Sequence, residues 1–211
     1  MSTSPRGARR RRPVLVPVAA AVAAAGVGVS AAFGGLKQAR DEPPPQYAAG
    51  ATLDQGEFLT QFVKAADVTE KSEFGSVKRY LQMTFKVTNQ STETTTVGFP
   101  PRGATRGVGW ASSLLSITPA APRERGADAF VRDHGIESSQ LQPGVPATVI
   151  VQYELQDGAT APKAVTLNVG TFTFTQAHAV AGHFWSLVPG SGDDKPATAA
   201  TITLDVKREQ A

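Results

Sequence analysis

The sequence predicts an all-β domain, an antiparallel sandwich of seven or eight short strands, carried behind a single N-terminal transmembrane helix. Three observations lead there. Apolar residues beyond position 56 recur with a period of two, the spacing of a half-buried strand. Clusters of Gly, Pro, Asn and Asp punctuate those runs as turn residues do. Ahead of them, residues 14–36 hold no ionisable side chain and follow directly on Arg9, Arg10, Arg11, Arg12 and Pro13.

The leader sets the address. Its 23 residues exceed the length of about 18 that spans a bilayer core as a helix. Basic residues on one side only fix the direction of crossing. The 1–13 arm is therefore expected in the cytoplasm and the chain beyond residue 36 outside it, as a single-pass protein of the cell membrane. A cleaved secretory signal, giving a secreted protein, is the alternative, because small residues around Ser30 and Ala31 form a loose cleavage site. The length of the apolar run favours the retained anchor. Within it Gly26, Ser30 and Gly34 fall at i, i+4 and i+8, a small-residue face through which two such helices could pair as a homodimer.

Composition removes several functions. The chain has no cysteine, which excludes disulfides, thiolate metal sites, a thiol nucleophile and a lipid-bearing cysteine. A formal charge of +3 invites a nucleic-acid reading until the charge is located. Five arginines precede position 13, leaving 16 basic against 18 acidic residues in the remainder. The basicity belongs to the arm, and no nucleic-acid partner is expected.

Residues 37–55 read as a Pro-rich linker, with Pro43, Pro44 and Pro45 favouring extended polyproline geometry. The extracytoplasmic domain is expected over 56–211, long enough to bury about 68–70% of its unfolded surface. Residues 56–68 form a first strand whose inner face is undecided between Phe58 with Phe62 and Leu59 with Val63. Residues 77–89 alternate most clearly, with Leu81, Met83, Phe85 and Val87 on one face. Asn89, Gln90, Ser91 and Thr92 close that run, and 94–99 is expected to return beside it. Residues 110–117 form a further candidate strand, and 123–140 is polar apart from Phe130 and Val131. Pro143 and Gly144 turn into 147–156, where Val149, Val151, Tyr153 and Leu155 alternate. In 163–176 the apolar positions are odd up to Val169 and even from Phe172, so a bulge or strand break is expected at Gly170. Residues 199–207 close the fold with Ile202, Leu204 and Val206 inward. Strands of this number and spacing indicate an immunoglobulin-like sandwich.

A strand ending in Phe85, Lys86, Val87, Thr88, Asn89, Gln90 and Ser91, with Leu141, Gln142, Pro143 and Gly144 before a Val-rich strand, resembles the immunoglobulin-like extracellular domains of unknown function found in small bacterial secreted proteins and lipoproteins. The resemblance covers about residues 56–206. It implies the fold and an outside location, and it supplies no catalytic residues. The lipid-attachment cysteine that many such proteins carry is absent here.

Little in the chain points to catalysis. His134, His178 and His183 are the only histidines, and no Gly-x-Ser-x-Gly elbow accompanies Ser112, Ser113, Ser138 or Ser139. His178 and His183 are five apart, which matches neither the i, i+4 spacing of a helical metal pair nor the i, i+2 spacing of a strand. Asp193 and Asp194 lack the spaced oxygens of a calcium loop. No cofactor or metal is expected. Trp110, Phe184 and Trp185 stand out as either core plugs or a contact patch, and aromatics with arginine make binding hot spots. The expected function is a membrane-tethered, non-enzymatic interaction module of the cell envelope. Its contacts fall on Arg102, Arg106, Trp110 and Trp185, and its partner is an envelope protein or a wall component. An envelope enzyme, or an accessory subunit of one, is the alternative.

Overall fold

Thirteen residues from Val77 to Asn89 form a strand whose alternation sends Leu81, Met83, Phe85 and Val87 into the core at 2% exposure or less. A computed structural model describes residues 43–71, 76–120, 126–156, 158–176, 183–191 and 195–210, and among them there is no α-helix. In chain order the strands are β1 (Gln46–Ala48), β2 (Thr52–Asp54), β3 (Phe58–Lys71), β4 (Val77–Asn89), β5 (Thr95–Thr96), β6 (Leu114–Thr118) and β7 (Asp128–Asp133). They continue as β8 (Ile136–Ser138), β9 (Gln140–Leu141), β10 (Pro146–Leu155), β11 (Ala164–Val169), β12 (Phe172–Gln176), β13 (His183–Leu187) and β14 (Ala200–Gln210).

Ten of these strands make one curled sheet in the order β6-β11-β14-β3-β4-β10-β7-β8, with β1 on β14 and β2 on β3. The curl runs through β14. Its first half, Ala200–Asp205, pairs antiparallel with β11, and β1 joins it in parallel at Thr201–Thr203. Its second half, from Val206 to Gln210, pairs in parallel with β3. One strand thus serves two stretches of sheet, and their inner residues share a single core that includes Phe62, Phe85, Val149, Leu167 and Ile202. Rings lock it. Phe85 meets Phe62 and Trp110 edge-on at 5.7 and 5.0 Å, and each such contact adds about 0.5–1.5 kcal/mol beyond the area buried.

The ambiguous face of the first strand has a structural cause. The register of β3 against β4 shifts between Phe62 and Lys64, so the extra residue, Val63, stands out at 39% exposure. Before the bulge Phe58, Thr60 and Phe62 point inward; after it Ala65 and Asp67 do. A bulge flips the facing parity, and that flip is why neither phase fits the whole strand. The expected break at Gly170 is present, where β11 ends at Val169 and β12 starts at Phe172.

Four expectations need correction. Residues 94–99 do not pair with β4, whose neighbours are β3 and β10; β5 pairs with β9 instead. The cause is Asn89, fully buried, whose amide donates to the carbonyls of Glu93 and Leu141 and so ties the turn to β9. Trp110–Ser113 is a 3-10 turn, and only Leu114–Thr118 is strand. The linker ends earlier than expected, since β1 and β2 already lie in the sheet and Pro44–Ala211 forms one unit. The described strands number fourteen, not seven or eight, because several segments carry only two or three paired residues. The expected membrane helix over 14–36, with Gly26, Ser30 and Gly34, lies outside the described residues, among which no helix is long and apolar enough to cross a membrane.

Candidate functional site

A chain of buried hydrogen bonds crosses the core and ends at Gly170, two residues before Phe172 in the wall of a large cleft. Trp110 Nε1 donates to Thr60 Oγ1 at 2.9 Å, the Thr60 hydroxyl donates to Gln55 Oε1, and Gln55 Nε2 donates to the Gly170 carbonyl at 2.8 Å. Trp110, Thr60 and Gln55 are each 0% exposed, so none of these groups can turn to water. The Gln55 carbonyl in turn accepts from the Phe172 amide at 2.7 Å. The strand break at Gly170 is thereby pinned to the core from two sides.

From that anchor β12 and β13 leave the curled sheet and, among the described residues, pair only with each other, Phe172 opposite Leu187 and Phe174 opposite Trp185. Alternation puts Phe172, Phe174, His183 and Trp185 on one face of this hairpin. Phe174 touches both His183, stacked at 5.2 Å, and Trp185, tilted at 5.2 Å. Phe174 and Phe184 stay about half exposed. The hairpin forms one wall of a cleft of about 1370 Å³. The 91–96 turn and the 101–109 excursion line it as well, together with Lys195, Pro196 and Thr198.

The 101–109 excursion is a small hairpin in its own right, with Phe99 and Val108 exchanging both backbone hydrogen bonds and Arg102 and Thr105 doing the same. Its return depends on Gly109, at φ +63°, where a Cβ would sit 2.3 Å from the Thr96 carbonyl.

Glu57 lies in the same cleft. It follows Gly56, which has φ +86° and packs so closely that a Cβ there would lie 2.4 Å from the Phe172 carbonyl and 3.4 Å from Cζ3 of Trp185. This approach brings the aromatic wall against the segment bearing Glu57. Glu57 is only 9% exposed, and its carboxyl has no hydrogen bond or ion pair among the described residues. Burial pushes that carboxyl from its ordinary value of 4.5 up to about 7.

Of the four expected contact residues, the fold brings two to the cleft. Arg106 is exposed on its rim and Trp185 is half-buried in its wall. Arg102 is exposed outside the lining, its side chain passing beside Gly126. Trp110 is corrected from contact to core plug, since its indole is wholly buried on Phe85 and its N–H is spent on Thr60. Among the histidines, His134 is exposed in the β7–β8 turn beside Asp133, His183 is on β13, and His178 lies outside the described residues, as do Asp193 and Asp194. No group of three or more metal-binding side chains occurs among the described residues. Sequence reasoning missed Glu57 and Phe174. The available signals were an acidic residue beside a glycine at the start of an apolar strand, and an aromatic just past a parity switch.

No protein-family model matches the chain, and no curated protein matches it. One solved structure, described as a "putative lipoprotein" from Staphylococcus aureus subsp. aureus NCTC 8325, is similar at 9% sequence identity with a TM-score of 0.30; the match covers 76% of this chain and 98% of that one.

Proposed function

We propose that this chain is a non-catalytic binding module, tethered outside the cytoplasmic membrane by residues 14–36, whose contact site is the cleft beneath the β12–β13 hairpin. The observation that carries the reading is the hairpin itself. It leaves the sheet, is pinned at its base through Gln55 and Gly170, and holds Phe174, half exposed, beside Trp185 on the face that carries Phe172, with a large concavity along the hairpin. Exposed rings on a rigid support beside an arginine are the raw material of a binding hot spot. The finer fold belongs to the same proposal: the two stretches of sheet that β14 joins enclose one core, as the two sheets of an immunoglobulin-like sandwich do. The partner is an envelope protein or a wall component.

Crosslinking in intact cells, followed by mass spectrometry, tests this. The captured partner should be lost from a chain carrying Trp185→Ala and Phe174→Ala together; unchanged capture overturns the reading. If Gly26, Ser30 and Gly34 also pair two anchors, Ile at Gly26 and Gly34 should lower the crosslinked dimer, and an unaltered dimer removes that part.

A second reading, an envelope enzyme, has one observation in its favour. Glu57 is a cleft carboxyl raised to about 7 by burial, and perturbed groups in clefts serve as general acids or bases. It needs a second reacting group within hydrogen-bond reach of the same substrate atom. Turnover of envelope-derived peptides or glycans that vanishes in Glu57→Gln would favour it over simple binding.

A further inference from the structure

The carboxylates that are at least partly buried have basic partners, among them Asp67 with Arg79 at 2.7 Å, Glu209 with Lys64 at 2.6 Å and Glu154 with Lys78 at 3.2 Å, whereas the carboxylates without an ion pair, such as Asp54, Glu93, Asp128 and Asp205, are exposed. Glu57 is more buried than Glu209 or Glu154 and has none. The raised value of its carboxyl comes from burial alone, without a contribution from any neighbouring charge. Four other ionisable groups line the cleft: Glu93 from the turn after β4, Arg106 from the 101–109 excursion, His183 from β13, and Lys195. None of them reaches the Glu57 carboxyl with a hydrogen bond or ion pair. The Glu57 oxygens are not among the wholly buried atoms left without a partner, so they open on the cleft; a carboxylate with little water around it is costly in its charged form, and a cation arriving through the cleft would lower that cost.

The surroundings narrow the cation. The ring of Trp185 lies against Gly56, one residue away, and Phe174 extends the aromatic wall. Aromatic faces attract ammonium groups, most strongly where water is excluded, and they also cover an aliphatic stem. The cleft volume of about 1370 Å³ exceeds the ~300–1,000 Å³ typical of small-molecule sites. Among the described residues the hairpin's strands form a ladder only with each other, and beyond Phe172, whose amide is taken by Gln55, their outer edges carry backbone groups that can receive an added strand. An extended chain bearing a stemmed cation meets all of these features.

We infer that the cleft receives an extended peptide segment of a partner protein, with one lysine ammonium seated on the Glu57 carboxylate against the Trp185 and Phe174 rings. This rests on the cleft being the binding site. It adds that recognition there is cationic.

The test uses the full-length chain in detergent micelles and isothermal titration with three probes. These are a capped heptapeptide with one central lysine, the same peptide acetylated at that lysine's Nζ, and an uncharged N-acetylglucosamine oligomer. The lysine peptide should bind. Acetylation of the probe and Glu57→Gln in the protein should each weaken binding by about 10-fold or more, the loss expected for one charge-assisted hydrogen bond. In an NMR titration the Glu57 midpoint should fall by about 1–3 pH units when the lysine peptide is bound, as it does for a carboxyl given a nearby cation. Four outcomes overturn the inference: equal binding of the two peptides, no effect of Glu57→Gln, binding of the saccharide alone, or no binding of the lysine peptide at ~1 mM. Circular dichroism on Glu57→Gln separates loss of fold from loss of charge. Phe174→Ala, which keeps the carboxyl, should weaken the lysine peptide more than the acetylated one, because the ring faces the ammonium; an equal loss would overturn the aromatic part of the inference. Failure here leaves the cleft reading standing if partner capture still depends on Trp185 and Phe174.

Discussion

Replacing Thr60 with valine removes one hydroxyl and almost no volume, yet it cuts the buried chain of hydrogen bonds in its middle. In the native fold that hydroxyl accepts from Trp110 Nε1 and donates to Gln55 Oε1, with all three residues at 0% exposure. The substitution leaves the indole N–H and the amide oxygen without partners in the core. Each buried orphan costs about 1–3 kcal/mol. The added methyl returns about 0.8 kcal/mol of apolar burial. The net loss is about 1–5 kcal/mol, a large share of the about 5–15 kcal/mol that holds an ordinary domain folded. Urea unfolding followed by tryptophan fluorescence, with an unchanged m-value, measures it. Thr60→Ser keeps the hydroxyl and loses only a methyl, so its cost should be about 1 kcal/mol. Thr60→Val within 0.5 kcal/mol of the native protein, or Thr60→Ser as damaging as Thr60→Val, would refute the reasoning, at roughly the precision such comparisons allow.

Two further outcomes follow from the same region. Gly56→Ala places a Cβ 2.4 Å from the Phe172 carbonyl at φ +86°; it should cost about 2 kcal/mol or more and release Trp185, read as a red shift of its fluorescence, and native stability with unshifted emission counts against the packing described. Glu57 makes stability depend on pH. Its folded value of about 7 lies above its ordinary 4.5, so between those limits the folded chain holds a proton that the unfolded chain has released. The contribution is complete below about pH 4.5 and is lost as pH rises through about 7. The difference in unfolding free energy between the native chain and Glu57→Gln should therefore change across that window, and a constant difference would show that Glu57 titrates normally.

Strands with strict alternation were legible. Residues 77–89 and 147–156 match β4 and β10 to within a residue at each end, because both faces of those runs obey one parity. Parity also exposed the break at Gly170. It could not assign the face of β3, where the bulge at Val63 makes both phases true in turn. Nor could it foresee that 94–99 would leave β4, since that depends on the Asn89 amide reaching Leu141, 52 positions away. The site was half legible for the same reason. Aromatic and arginine content pointed to Arg106 and Trp185, but Trp110 has the same chemistry and differs only in burial. Glu57 gave almost no local signal, because what sets it apart is the hairpin more than a hundred residues later that closes over it.

A tethered module that binds an envelope partner must present its cleft to the outside of the cell. The chain has no cysteine, so a single Ile136→Cys, on β8 at a position 72% exposed, gives one thiol for a membrane-impermeant maleimide. Labelling of that thiol in intact cells is the predicted result, with a Ser2→Cys thiol on the basic arm modified only after the cells are opened. Protection of Cys at position 136 until lysis would put the domain on the inner side and contradict the tether, the envelope setting and the partner together.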